Sequence, residues 1–213
     1  KRCDQELTII KKDNIEVISD GGIRPNTSQE ILNNLKLVFD ENGTITAGTA
    51  SPLTDGASAT LVCEEEYAKA NKLPIIARIK STAIQGCPPE LMGLGPINAS
   101  KKALNRSNLE IKDIDIVELN EAFASQSIAC IKELKINPEI VNIEGGAIAL
   151  GHPLGATGTR ITAKAASLMI KHNKKYALAT QCIGLGQGIA TVLERVEELC
   201  KFIKPHKGNI SFS

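Results

Sequence analysis

Downstream of Pro74, short apolar runs alternate with segments whose apolar residues recur at helical spacing. The runs cover 75–83, 115–119, 140–143, 176–181 and 189–193; the helical segments cover 97–105, 121–134 and 156–171. A chain patterned in this way buries its apolar faces as a layered α/β sheet with helices packed on both sides. The last two runs are separated only by a glycine-rich turn, which predicts an antiparallel pair, and an amphipathic helix is expected over 194–203. An apolar fraction of 42% is enough for a core. With aromatics at 3% and no Trp, that core must be aliphatic and alanine-rich.

Upstream of Pro74 the pattern is looser. A β-like run at 7–10 leads to a turn-rich loop at 20–25. Asn26, Thr27 and Ser28 then cap an expected helix over 29–38, with Ile31, Leu32, Leu35 and Val38 on one face. A β-prone stretch over 44–50, a loop over 51–56, a buried strand over 57–62 and a helix over 64–71 complete the expectation. This part does not read as a complete domain, and Pro74 marks the boundary.

Composition excludes several classes. The net charge is +1 with Lys and Arg scattered, so neither nucleic acid nor a membrane surface is an expected partner. No apolar run approaches the roughly 20 residues that span a bilayer. The first residue is Lys1, consistent with a processed or partial chain; no signal-peptide pattern and no Ser-Lys-Leu tail is present, and the compartment stays open. Six cysteines, at 3, 63, 87, 130, 182 and 200, form no C-x-x-C pair and no zinc spacing. They read as free thiols in a reducing compartment, with no metal site.

Three corners carry the chemistry. In the first, Asn120 stands between a strand and a helix; it is either a helix N-cap or a polar site residue. In the second, Gly145 to Arg160, glycines frame His152, and Pro153 suits a helix start. That histidine is either a satisfied turn residue or a base at the carboxyl end of a strand. In the third, Gln181 to Gly188, Cys182 precedes glycines at every second position; it is either core filler or a thiol beside accessible backbone N–H groups. Asn, His and Cys at three strand ends of one sheet would converge on one crevice. Such a set suits a thioester or its enolate, with a base, oxyanion donors and a proton-shuttling thiol.

The blocks Asn120-Glu121-Ala122-Phe123-Ala124, Gly145-Gly146 through Gly151-His152-Pro153-Leu154-Gly155, and Cys182-Ile183-Gly184 resemble the three signature blocks of thiolases, in that family's order and spacing. The stretch Thr46 to Ala57 resembles the loop that closes over coenzyme A, and Met92-Gly93-Leu94-Gly95-Pro96 also fits. The resemblance implies the thiolase fold, whose domains are similar halves with five-stranded mixed sheets. It divides the chain into 1–53, the end of the coenzyme-A-covering loop domain; 54–73, the last strand–helix of the N-terminal domain; and 74–213, the C-terminal domain.

The resemblance also implies roles. His152 would activate a nucleophilic cysteine, and Cys182 would exchange a proton with C2 of acetyl-CoA. Asn120 would hold a water that forms one oxyanion hole with His152, and the Gly184 N–H would serve the other. Ser51 would touch the pantetheine arm, and Phe123 would line the pocket. Thr49 and Thr54 stand where the family often has Asn, and Pro52 where it often has Gly, which leaves Ser51 the least supported of these. The family's acyl-accepting cysteine lies in a Cys-x-Ser-Gly-like context that Cys3, Cys63 and Cys87 lack. The chain therefore resembles the C-terminal half of a thiolase, whose partner would be the missing N-terminal half.

The implied activity of the intact protein is thiolytic cleavage of 3-ketoacyl-CoA, with coenzyme A as substrate, no permanently bound cofactor, and a homodimer or dimer of dimers. His152-Pro153-Leu154-Gly155 leans toward the degradative enzymes. A biosynthetic acetoacetyl-CoA thiolase, a non-catalytic module that packs with another chain, and a decarboxylating ketoacyl synthase are the competing readings.

Overall fold

The computed structural model describes residues 9–12, 15–196 and 210–211. Two three-residue strands, β1 (Ile10–Lys12) and β2 (Ile15–Val17), pair antiparallel. Two short helices follow, α1 (Gln29–Asn33) and α2 (Glu65–Ala70). The regular part then runs β3 (Ala77–Gly86), α3 (Gly95–Arg106), β4 (Ile116–Leu119), α4 (Ala124–Leu134), α5 (Ala147–Leu150), α6 (Thr157–Lys171), β5 (Tyr176–Ile183) and β6 (Gln187–Arg195). A last two-residue strand, β7 (Ile210–Ser211), lies parallel to β1.

The main sheet has the order β3-β6-β5-β4. β4 and β5 are parallel, while β6 runs antiparallel to both β5 and β3, so the sheet is mixed. Side chains alternate between its faces as the strand period of two requires. Val117, Leu119, Leu178, Ala190 and Val192 pack with α3 and α4 on one face. Ile116, Ala177, Ala179 and Leu193 pack with α6 on the other. The α6 stripe is Ile161, Ala165, Leu168 and Met169, spaced as an amphipathic helix demands. Leu168 and Met169 are almost fully buried, each contributing about 1.5–3 kcal/mol. Among the described residues no helix is long and apolar enough to cross a membrane.

The layered α/β expectation and the antiparallel last pair hold, but several local expectations are corrected. The fifth strand, expected over 140–143, is reduced to one parallel bridge between Val141 and Val117, because a 3-10 turn at Pro138–Ile140 takes up the preceding residues. The helix over 29–38 stops at Asn33: Ser28 caps it, but Leu37 leaves to bridge Thr46, and Phe39 turns left-handed. The β-prone stretch over 44–50 is a threonine-held turn, in which the Thr49 hydroxyl accepts from the Thr46 N–H.

The segment 57–62 is not a buried strand. It runs exposed, with no ladder partner among the described residues, and residues 59–62 border an open cleft of about 660 Å³ against Ile75–Ile79 and α6. The helix expected to follow Asn120 directly begins only at Ala124. The helix expected over 194–203 is contradicted at its start, where β6 continues to Arg195; residues 197–209 lie outside the described set. Residues 7 and 8 of the β-like run at 7–10 also lie outside it, and Ile10 opens β1.

Candidate active site

Asn120 follows the end of β4, and its backbone N–H continues the ladder by bonding the Thr180 carbonyl at 3.0 Å. It is not a helix N-cap; Phe123 occupies that position, without a side-chain cap bond. The Asn120 side chain is buried and turns toward His152, with Nδ2 3.4 Å from the imidazole Nε2. Its Oδ1 has no partner among the described residues, so the carboxamide retains acceptor capacity in the site.

His152 does not follow a strand directly. It leaves the one-turn helix α5 through Gly151, whose φ of +96° suits glycine alone. A Cβ on Gly151 would run into Thr54, so glycine also lets residues 53–54 approach. Pro153 sits one turn before α6. Its carbonyl accepts from the N–H groups of Ala156 and Thr157, each at 2.9 Å, and from the Thr157 hydroxyl at 3.0 Å.

That last bond defines the imidazole. A hydroxyl has one proton, and Thr157 donates it to Pro153. The same oxygen lies 2.7 Å from His152 Nδ1, while Asn120 Nδ2, a donor, faces Nε2, and a ring proton on Nδ1 satisfies these contacts together. The neutral ring then carries its lone pair on Nε2, the nitrogen that faces Asn120. Burial, and after it the positive charge of Arg160, lower the His152 pKa from its ordinary value of 6.5. The ring is a neutral, oriented base near pH 7.

The loop expected to cover coenzyme A is stitched onto the same place. Ala50 bridges Phe123, the Ser51 N–H bonds the Ala122 carbonyl at 3.0 Å, and the Ala124 N–H bonds the Thr49 carbonyl at 2.8 Å. Leu53 bridges His152, and the Ser58 hydroxyl bonds the Ala156 carbonyl at 2.8 Å. Ser51, Phe123, Asn120 and His152 thus belong to one assembly of three chain segments. The Ser51 hydroxyl itself leans on the Ala122 carbonyl at 3.3 Å.

Cys182 and Gly184 lie at the same end of the sheet, because β4 and β5 are parallel and Leu119 pairs with Thr180. Cys182 continues the row of Leu178 and Thr180; the Thr180 hydroxyl contacts Ser100 of α3 at 3.4 Å. Its thiol therefore starts from the α3 side of β5, and among the described residues no hydrogen bond joins it to His152 or Asn120. Burial raises the Cys182 pKa, and the thiol is protonated near neutrality. Gly184 is exposed, with open space where a Cβ would lie, at a turn in which Leu185 and Gly186 both have positive φ. Cys130, nearby on α4, is pushed by burial to about 11 and is an inert thiol. The four described cysteines are all free.

Four contributors escape sequence reasoning. Thr157, fully buried, sets the tautomer of His152. Arg160 acts on the same ring. Glu121 reaches back from the Asn120 corner to accept from the Ile148 N–H at 3.1 Å and from Asn142 Nδ2 at 2.8 Å, joining that corner to the start of α5. Asn142, left-handed with φ 47°, bonds both the N–H and the carbonyl of Leu119 and so finishes β4. The signal for Glu121 and Asn142 is faint: an acidic residue beside an expected N-cap and a polar residue inside an apolar run.

Comparison with known proteins places this geometry. The thiolase C-terminal domain model matches residues 73–195, and the thiolase N-terminal domain model matches residues 5–66. The chain belongs to the thiolase family. It is 57% identical over 185 residues to a 3-ketoacyl-CoA thiolase of Shewanella loihica, covering 85% of this chain and 48% of that protein. Against a 3-ketoacyl-CoA thiolase of Vibrio parahaemolyticus it is 57% identical over 180 residues, covering 83% and 46%. Among solved structures, human mitochondrial 3-ketoacyl-CoA thiolase superimposes with a TM-score of 0.80 at 41% identity, over 86% of this chain and 46% of that one. An acetyl-CoA acetyltransferase of Bacillus anthracis superimposes with 0.84 at 37% identity, over 88% and 48%. The chain spans about half the length of the curated relatives it matches.

Proposed function

We propose that this chain carries the histidine, asparagine and second-cysteine part of a thiolase site, and that the full-length gene product cleaves 3-ketoacyl-CoA with coenzyme A. The observation that carries this is the imidazole held by Thr157 on Nδ1 with its lone pair facing Asn120. His152 Nε2 takes the proton of a cysteine thiol, and the thiolate attacks C3 of the substrate. The C2–C3 bond breaks, and C2 takes the Cys182 proton to leave as acetyl-CoA. The thiol of a second coenzyme A returns a proton to Cys182, attacks the acyl-enzyme, and frees the cysteine, which recovers its proton from His152.

Asn120, through a water, and His152 stabilise one developing oxyanion, and the Gly184 N–H stabilises the other. Ser51 and Phe123 guide the pantetheine arm. Coenzyme A is a substrate here, and no permanently bound cofactor is required. The names of the Shewanella and Vibrio relatives support the degradative direction, and with it a role in fatty-acid oxidation. On this reading the gene product works as a homo-oligomer.

The test is to supply the full-length gene product with a 3-ketoacyl-CoA, with and without free coenzyme A. The acyl-CoA shortened by two carbons should form, and acetyl-CoA should exceed one equivalent per enzyme, only with free coenzyme A. Absence of both products would refute the proposal. The 213-residue chain alone is expected to show no turnover, since no cysteine in it stands in the family's nucleophile context.

A further inference from the structure

Asn120 and His152 stand 32 residues apart in the chain, and one side chain ties their two segments together. Glu121 follows Asn120 and is partly buried. One of its carboxylate oxygens accepts from Asn142 Nδ2 at 2.8 Å, and the other accepts from the Ile148 N–H at 3.1 Å. Asn142 is bound to both the N–H and the carbonyl of Leu119, so its amide cannot turn round without losing both bonds. Ile148 lies in the first turn of α5, where backbone N–H groups have no partner inside the helix. From there the chain passes directly through Gly151 to His152.

Gly146 makes room for this contact. Its φ of −127° and ψ of −173° are extended values open to any residue, so its backbone does not demand glycine. Space does: a Cβ there would overlap all three atoms of the Glu121 carboxylate. That carboxylate is held at both oxygens, so stepping aside would break hydrogen bonds. The neighbouring acid, Glu144, turns instead to Lys164 and Lys171 of α6.

We propose that Glu121 is a positioning residue for the proposed site: its carboxylate, seated on Gly146 and bonded to Asn142 and Ile148, sets how Asn120 meets the His152 ring. The inference rests on the assignment of Asn120 and His152 to one oxyanion hole. Glu121 acts through those two side chains. Its role needs two acceptor oxygens, because both of its partners are donors. Glutamine keeps the shape but turns an NH2 group toward one of them, donor against donor.

The experiment compares wild type, E121Q, E121A, G146A and the double variant E121A/G146A. Thiolysis is measured on the full-length gene product; thermal unfolding and NMR of the Asn120 side-chain amide and His152 ring are measured on the 213-residue chain. E121Q and G146A should each fold, shift both sets of resonances and lose roughly 10- to 100-fold in kcat. Their KM should stay within about twofold of wild type. Adding G146A to E121A should cost nothing further, because the Cβ then meets no carboxylate. Unmoved resonances in E121Q and G146A overturn the proposal. So does a G146A effect that persists undiminished in E121A, or a loss of folding in E121Q and G146A alike, which would make Glu121 structural. The resonances stand apart from turnover: shifted signals beside a wild type without thiolysis would sink the functional assignment and leave the role of Glu121 in placing Asn120 and His152 intact.

Discussion

Replacing Thr157 by valine keeps the shape of a fully buried side chain and deletes one hydroxyl. That hydroxyl serves two partners, the Pro153 carbonyl at 3.0 Å and His152 Nδ1 at 2.7 Å. Pro153 keeps two backbone donors, so the fold should lose only about 1 kcal/mol. The larger effect is on the reaction. When His152 takes a proton, its Nδ1–H bond becomes charge-assisted, a bond worth about 1.5–3 kcal/mol. Losing it at that point corresponds to roughly 10- to 100-fold in kcat/KM, at about 1.4 kcal/mol per tenfold. Thr157→Ser keeps the hydroxyl and should stay within about threefold.

The assay is thiolysis by the full-length gene product, paired with long-range nitrogen NMR of the His152 tautomer in the 213-residue chain. T157V should lose activity mainly in kcat and populate a mixture of tautomers. Activity within about twofold of wild type, with the Nδ1–H form still dominant, would refute the reasoning that Thr157 sets the base.

Other outcomes follow from the same geometry. Cys182→Ser should impair carbon–carbon cleavage far more than exchange of an acyl group between acetyl-CoA and the enzyme; equal losses in the two half-reactions would contradict its proposed role. Asn142→Ala should lower the thermal midpoint more than Asn142→Gly, by about 1 kcal/mol in stability, because both lose the bonds to Leu119 while only alanine is strained at φ 47°.

Acid sensitivity has two windows. His152 has a folded pKa below 6.5, so the stability linked to its neutral form is complete above pH 6.5 and is lost as pH falls through the lowered value. Denaturant midpoints at pH 7.5 and 5 should therefore fall more in wild type than in His152→Gln. The Glu144 carboxyl sits below its ordinary 4.5: burial raises it, but Lys164 and Lys171 more than offset that. Its contribution is complete above pH 4.5 and is lost as pH falls further.

The layered α/β plan was legible because periodicity reports which face of each element is buried; the His152 and Cys182 corners because glycine marks where a chain must turn or admit a neighbour; and the Asn120 corner because a polar residue stands between an apolar run and a helix-periodic segment. Asn120 and His152 come within 3.4 Å as the corner reading required. Segment 57–62 failed for a physical reason: its apolar residues carry a strand's composition, but a strand exists only beside a partner. The run at 140–143 misled similarly, because Asn142 spends its side chain closing β4 instead of extending a ladder of its own. Thr157 and Arg160 were invisible, and Glu121 and Asn142 only faintly marked, because their parts depend on side-chain direction. The contacts of Glu121, for instance, span 21 and 27 residues of chain.

The most direct measurement is thiolysis of a 3-ketoacyl-CoA by the full-length gene product with His152 replaced by alanine, beside wild type, with folding checked by circular dichroism. A neutral base aimed by Thr157 at the reacting thiol predicts a folded variant in which both acyl-enzyme formation and its breakdown are nearly abolished. A folded H152A variant that cleaves substrate at close to the wild-type rate would contradict it.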